Sequence, residues 1–272
     1  MKGGIRGVAR FFLVTIGIVV LTSVTIDATD GLRGSQSALS RLAFTMTSED
    51  CRAGTVSLEL DGRQYCVDKY VAVPSEACPH QVVQSGTHTS ENLNTADCAA
   101  TVKAQVRPWT NVARHQAAQL CARAGKRLLT PTEWYYAALG TTVSACNTDS
   151  NQVQLTGSSD CVSGIGAYDM VGNVWELLDA EVVNGYYKDA ALPTSGYVGR
   201  VSIDGFPTAT QATATAMFDN DYVWTAATGT HAIMRGGFYG SRTDAGLYAM
   251  HAAIDPTFAS QAVGFRCMYA QN

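Results

Sequence analysis

Between residues 55 and 73, apolar and polar positions alternate: Val56, Leu58 and Leu60, then Tyr65, Val67 and Tyr70. A period of two sets such side chains on one face of a strand. Asp61-Gly62 breaks the run, and that dipeptide suits two successive left-handed residues, so a hairpin with a type I′ turn is predicted. From Asn111 to Ala124 the period changes. Val112, Ala113, Ala117, Leu120, Cys121 and Ala124 recur at helical spacing, with Thr110 as the expected cap and Gly125 as the stop. A second helix is signalled by Thr130-Pro131-Thr132-Glu133. Thr130 caps it, Pro131 takes its first position, and Glu133 closes a capping box. Trp134, Tyr135, Ala137 and Ala138 follow, and Gly140 ends it. Residues 76 to 105 are polar and read as an irregular, disulfide-pinned loop. Beyond Gly140 the chain is rich in Gly, Ser, Thr and Asn, with short strand candidates at 174–178, 198–203, 233–235, 247–250 and 264–269. Two helices followed by many short strands, with no internal repeat, predict one loop-rich α+β domain.

The N-terminus has a different character. Lys2, Arg6 and Arg10 precede an apolar run over residues 11–26, and no acidic residue occurs before Asp27. A basic flank followed by an apolar stretch directs export. The run is shorter than the roughly 20 apolar residues of a full membrane span. It therefore lies between a cleaved signal peptide and a short anchor. Ile26-Asp27-Ala28 makes a poor cleavage site, and residues 1–26 are read as a membrane anchor through 11–26. Residues 27–50, rich in Ser, Thr, Asp and Gly, are read as a stalk or linker with one helical stretch over 36–45, and residues 51–272 as the folded domain.

The composition narrows the classes. Of 272 residues 46% are hydrophobic and 15% charged, which excludes a disordered chain, a collagen and a coiled coil. The formal charge is −4. With Lys2, Arg6 and Arg10 set aside, 16 basic residues face 23 acidic ones, so a nucleic-acid partner is not expected. All 8 cysteines follow the export segment, and none forms a C-x-x-C pair. Export with an even count favours disulfides over a metal or redox site. Sequence does not fix the connectivity. Local pairing suggests Cys51–Cys66, Cys78–Cys98 and Cys146–Cys161, leaving Cys121 with Cys267.

Four motifs, in order, resemble the formylglycine-generating-enzyme-like superfamily, which includes the sulfatase-modifying factors. They are 124–128 with 130–134 (AGKRL and TPTEW), 169–176 (DMVGNVWE), Arg235-Gly236-Gly237, and Gly264-Phe265-Arg266-Cys267. The resemblance spans roughly residues 66 to 269. It implies a C-type lectin fold, in which a pair like Cys121–Cys267 is common. Enzymes of that family carry two cysteines soon after Arg-Gly-Gly to hold copper, and soft thiolates suit Cu(I). Here residues 238–244 read FYGSRTD, so no catalytic residue is assigned and an oxidase is the less favoured reading.

The same block is similar to the variable proteins of diversity-generating retroelements, in which adenine-directed mutagenesis varies displayed side chains. The matching framework is Ala245-Gly246, Ala249, Pro256 and Gly264-Phe265-Arg266, within a variable region of about 235–267. The resemblance implies varied positions at 238–244, 252–255 and 258–262. The expected ligand-binding residues are Phe238, Tyr239, Gly240, Ser241, Arg242, Asp244, Tyr248, His251, Ala253, Ile254, Phe258, Ser260 and Gln261. Phe238 and Tyr239 are expected to be exposed, and Tyr248 also reads as a core residue of a strand.

Related domains often hold calcium at the central motif, which makes Asn173 and Glu176 candidate ligands, since oxygen donors suit a hard cation. The alternative for both is a purely structural role, and no cofactor is required. The five histidines show no helical metal spacing, and no Gly-x-Ser-x-Gly elbow or phosphate loop is present. The expectation is a cell-surface binding protein for an unknown protein or surface ligand. The alternative is a non-diversified adhesin or pilus-associated module of the same fold.

Overall fold

A computed structural model describes residues 51–271. The anchor, the stalk and the helix expected at 36–45 lie outside the described residues. The strands are β1 (Thr55–Leu60), β2 (Arg63–Asp68), β3 (Val73–Pro74), β4 (Ala100–Thr101), β5 (Arg127–Leu128), β6 (Trp175–Val183), β7 (Tyr186–Tyr187) and β8 (Ala190–Ala191). They continue with β9 (Gly196–Val201), β10 (Pro207–Gln211), β11 (Tyr222–Thr225), β12 (Thr230–Arg235), β13 (Met250–Ile254), β14 (Val263–Phe265) and β15 (Cys267–Ala270). The helices are α1 (Gly86–Asn94), α2 (Arg114–Arg123) and α3 (Pro131–Ala138).

The β1–β2 hairpin forms as expected, with Leu60 opposite Arg63 and both turn residues, Asp61 and Gly62, at positive φ. The last strand returns to it. β15 lies antiparallel between β2 and β5, which joins the two ends of the domain in one small sheet. A larger sheet runs in the order β10-β9-β11-β13-β12-β6-β7-β8, with β14 added beside β6. Two of its pairings are parallel, β11 with β13 and β14 with β6. Trp109, Leu120, Leu177 and Phe265 fill one apolar cluster, and Trp134, Leu129, Ile233 and Met268 fill another. This is a loop-rich α+β architecture, as the run of two early helix signals and many short strands predicts.

Three local expectations are corrected. α2 begins at Arg114 rather than Asn111, because Asn111 takes positive φ and Gln116 reaches back to cap the Ala113 N–H. Thr110 is therefore not its cap. Residues 86–94 form α1 instead of a loop, capped by Ser85. The strand expected at 247–250 lies at 250–254. α3 has the expected Thr130–Glu133 capping box.

The four disulfides pair as the local reading suggested: Cys51–Cys66, Cys78–Cys98, Cys121–Cys267 and Cys146–Cys161. Four such bonds belong to an exported or extracellular chain, since the cytosol keeps thiols reduced. Among the described residues no helix is long and apolar enough to cross a membrane.

Candidate functional site

β12 ends at Arg235, whose side chain is fully buried. Its guanidinium donates to the carbonyls of Gly205 at 2.8 Å and Leu247 at 2.9 Å and lies over the Trp134 ring. Burial pulls its pKa down to about 10. Gly236 and Gly237 follow with φ of 91° and 84°. A side chain at Gly237 would overlap Ala245, so the glycine lets both ends of the 238–244 loop meet. Inside that loop the Ser241 hydroxyl accepts the Phe238 N–H at 3.0 Å, and the Phe238 carbonyl accepts the Ser241 N–H at 3.0 Å. Its outer side is tied down by Arg242 N–H to Thr148 O and Tyr239 N–H to Asn173 O.

Asp221, at the start of β11, holds the far end. One of its carboxylate oxygens accepts the Tyr248 N–H at 2.6 Å, while the other faces Gly246 with no partner among the described residues. Burial pushes its pKa up to about 8.

The central motif braces the loop from below. Asp169 accepts the Gly157 N–H at 2.7 Å, and the Asn173 side-chain oxygen accepts the Gln154 N–H at 2.8 Å. Glu176 is buried against Arg266 at 2.7 Å and accepts the Trp134 indole N–H at 2.9 Å. Both oxygens of Glu176 are thus engaged, and a calcium ion at Asn173 and Glu176 would have to displace Arg266. Among the described residues, no group of three or more His, Cys, Asp or Glu side chains is arranged to hold a metal.

Above this frame lies a cavity of about 380 Å³, within the usual size of ligand sites. It gathers eight of the thirteen expected residues: Phe238, Gly240, Ser241, Asp244, His251, Ile254, Phe258 and Ser260. Tyr239, Arg242, Tyr248, Ala253 and Gln261 are not in its lining. Tyr239 packs against Val71, Val153 and Val174. Arg242 extends into solvent with Asp149 at 3.4 Å. Tyr248 packs with Phe218 and Tyr135, but it is half-buried and lies before β13, so the reading of it as a core residue of a strand is corrected. The exposure expected for Phe238 and Tyr239 is corrected: both are half-buried, with their rings packed edge to face at 5.0 Å.

The rest of the lining comes from strands that the motif comparison did not mark: Trp175 on β6, Trp224 on β11, Met234 on β12, and Ala262 and Val263 at β14. The His251 ring stacks on Trp224 at 5.4 Å, and Trp175 meets Trp224 edge-on at 5.8 Å. Burial, with a smaller effect from His231, pulls His251 down to about 4, so its ring is neutral at pH 7. A hint was available in the sequence. Trp224 and His251 are aromatic positions flanked by the buried Val223, Met250 and Ala252, as an outward-facing strand row requires.

Residues 146–271 match the family described as Sulfatase-modifying factor enzyme 1-like domain. A comparison with curated proteins finds no match. Among solved structures, the Major Tropism Determinant U1 variant is similar at 16% identity, with 80% of this chain and 52% of that chain covered and a TM-score of 0.45. This chain thus spans about half the length of that relative. PvdO from Pseudomonas aeruginosa is similar at 15% identity, covering 80% and 90% of the two chains, with a TM-score of 0.44. Treponema denticola variable protein 1 is similar at 14% identity, covering 81% and 100%, with a TM-score of 0.41.

Proposed function

We propose, for a chain whose residues 146–271 match the family described as Sulfatase-modifying factor enzyme 1-like domain, that this is a ligand-binding protein diversified around residues 235–267 by retroelement-directed adenine mutagenesis. The cavity is its binding site, and the domain is displayed at the cell surface through the membrane segment 11–26. One observation carries the reading. Three segments expected to vary, at 238–244, 252–255 and 258–262, lie apart in sequence yet each supplies residues to one cavity on a disulfide-tied frame. The cysteine count supports binding over oxidation. All 8 cysteines are taken by the four disulfides, which leaves no thiolate for a Cu(I) centre.

The test is genetic. A near-copy of codons 235–267, differing almost only at adenines and lying beside a reverse-transcriptase gene, is expected in the flanking DNA. Exchange of the 238–262 segment between sister chains is then expected to redirect binding to target cells. If neither a near-copy nor such a gene is found, diversification is abandoned and the chain is a fixed adhesin.

A further inference from the structure

Elsewhere in the domain the chain supplies its own cations to its aromatic rings. Arg52 lies over Tyr269, Lys69 over Tyr168, Arg127 over Tyr65, Lys188 over Tyr187 and Arg235 over Trp134. The cavity has rings without a cation. Trp175, Trp224, Phe238 and Phe258 line it, and none of the described cation–ring contacts involves them. What the cavity does hold is an acid. Asp244 is its one charged side chain among the described residues, and no described group pairs with that carboxylate or donates to it. Burial alone pushes its pKa up, with no neighbouring charge to pull it back. Arg242, two residues earlier, faces Asp149 instead. His251 supplies no charge either, since its ring is neutral at pH 7.

We infer that the cavity binds a quaternary ammonium group, with the Asp244 carboxylate as its counter-charge and the Trp175, Trp224, Phe238 and Phe258 rings as its walls. The inference rests on the cavity being the binding site, and goes further by naming the chemistry that enters it. The unpaired acid selects the charge. Any ligand that fills the cavity strips water from Asp244. An uncharged apolar group leaves that cost standing, and an anion adds repulsion. A cation offsets it, and the rings attract the same charge through their negative faces. The acceptors then select the kind of cation. A primary ammonium brings three N–H donors and a guanidinium five. Besides Asp244 the hydroxyls in the lining are those of Ser241 and Ser260, and both already accept backbone N–H groups. His251 Nδ1 is likewise occupied, by the Ala253 N–H at 3.4 Å. A quaternary ammonium has no N–H to satisfy and needs only apolar walls and one opposite charge. Asp244 lies in a segment expected to vary, whereas Trp175 and Trp224 do not. The charge preference therefore belongs to this version of the loop, over an aromatic floor that stays the same.

The experiment reads the indole N–H resonances of the full-length chain, disulfides intact in a maltoside detergent, with heavy nitrogen in its tryptophans. Trp175→Phe and Trp224→Phe assign the two cavity signals. Three probes are added separately: choline, N-acetyl-lysinamide, and 3,3-dimethylbutan-1-ol, which has the shape of choline with carbon in place of the charged nitrogen. Choline is expected to shift the Trp175 and Trp224 signals with a Kd on the order of 1 mM, as befits so small a ligand. The Trp109 and Trp134 signals, from rings outside the lining, should stay in place. The neutral isostere should bind roughly tenfold more weakly, since it lacks the attraction to the rings and to Asp244. Asp244→Asn keeps the shape of the side chain and should weaken choline roughly two- to fivefold, the scale of a half-exposed ion pair. The same substitution should leave the neutral isostere unaffected. The inference is overturned if choline moves neither cavity signal, if the isostere or the lysine amide binds as tightly, or if Asp244→Asn leaves choline binding unchanged. Should segment exchange redirect cell binding while choline moves nothing, the pocket assignment fails and the binding-site reading stands. Should choline bind as expected while exchange leaves cell binding unchanged, the reverse holds.

Discussion

Asp221 has one carboxylate oxygen on the Tyr248 N–H and the other against Gly246 without a partner, so its proton bears directly on the binding loop. In the folded chain its pKa is about 8, against roughly 3.9 when unfolded. Between those values the native state keeps a proton that the unfolded state releases, so stability is lost as pH rises through the interval. His251 acts in the opposite sense. Its folded value of about 4 lies below the roughly 6.5 of a free imidazole, so its contribution is present above that pH and lost on acidification. Above pH ~6.5 the His251 contribution is constant, and the Asp221 slope is expected to emerge. Urea midpoints of the parent chain should fall between pH 6.5 and 8, while Asp221→Asn, which keeps an acceptor and cannot ionise, should flatten the fall. Parallel curves would mean that Asp221 is ionised throughout. Glu176 makes a second case. It neutralises Arg266 in the interior and accepts from Trp134, so Glu176→Ala strands a buried cation. A loss of about 3–5 kcal/mol is expected in urea unfolding. Retention of parent stability would show that water reaches Arg266.

Where an element announces itself through local chemistry, the sequence is a sufficient guide. Asp61-Gly62 sets the hairpin register, and Thr130-Pro131-Thr132-Glu133 starts α3 at the right residue. α1 gives no such notice, because its buried positions are the polar Thr89 and Asn92, which leave no apolar period to read. Ser85 as its cap was the available signal. β13 starts late for a tertiary reason: Asp221, far away in sequence, holds the Tyr248 N–H in a turn. The Cys121–Cys267 bond belongs to this scale as well. It joins α2 to β15 over 146 residues, between two fully buried side chains. In the loop-entropy picture its loss costs about 5 kcal/mol. Replacing both cysteines by alanine should therefore lower the denaturant midpoint more than replacing Cys51 and Cys66, whose bond closes a loop of only 15 and is worth about 3 kcal/mol in the same picture. Equal losses would show that native packing, rather than chain entropy, sets the value of these bonds.

Across the molecule, the rim of the site was legible and its floor was not. The rim is contiguous in the chain between Arg235 and Cys267, where fixed motif residues bracket the variable stretches. The floor assembles Trp175, Met234 and Trp224 from β6, β12 and β11, which the pairings of β12 with β6 and β13 and of β11 with β13 bring together from segments far apart in the chain. This division has a thermodynamic consequence. The 238–244 loop is fixed at its base by Gly237 against Ala245 and Arg235 on the Leu247 carbonyl, and the 258–262 segment by Ala262 O on the Trp175 N–H. None of these contacts uses an outward side chain of the loops. Surface changes away from such contacts stay within roughly ±0.5 kcal/mol. Substitutions at the exposed Arg242, Thr243, Phe258, Ala259 and Gln261 should accordingly leave the melting temperature nearly unchanged, singly and together. Ala245→Val, one residue beyond the loop, adds methyl groups where no space exists and should cost about 1–3 kcal/mol. Calorimetry across that panel separates the two sets. If the loop substitutions destabilised as much as Ala245→Val, the loops would be part of the frame, and the fold could not carry a diversified site.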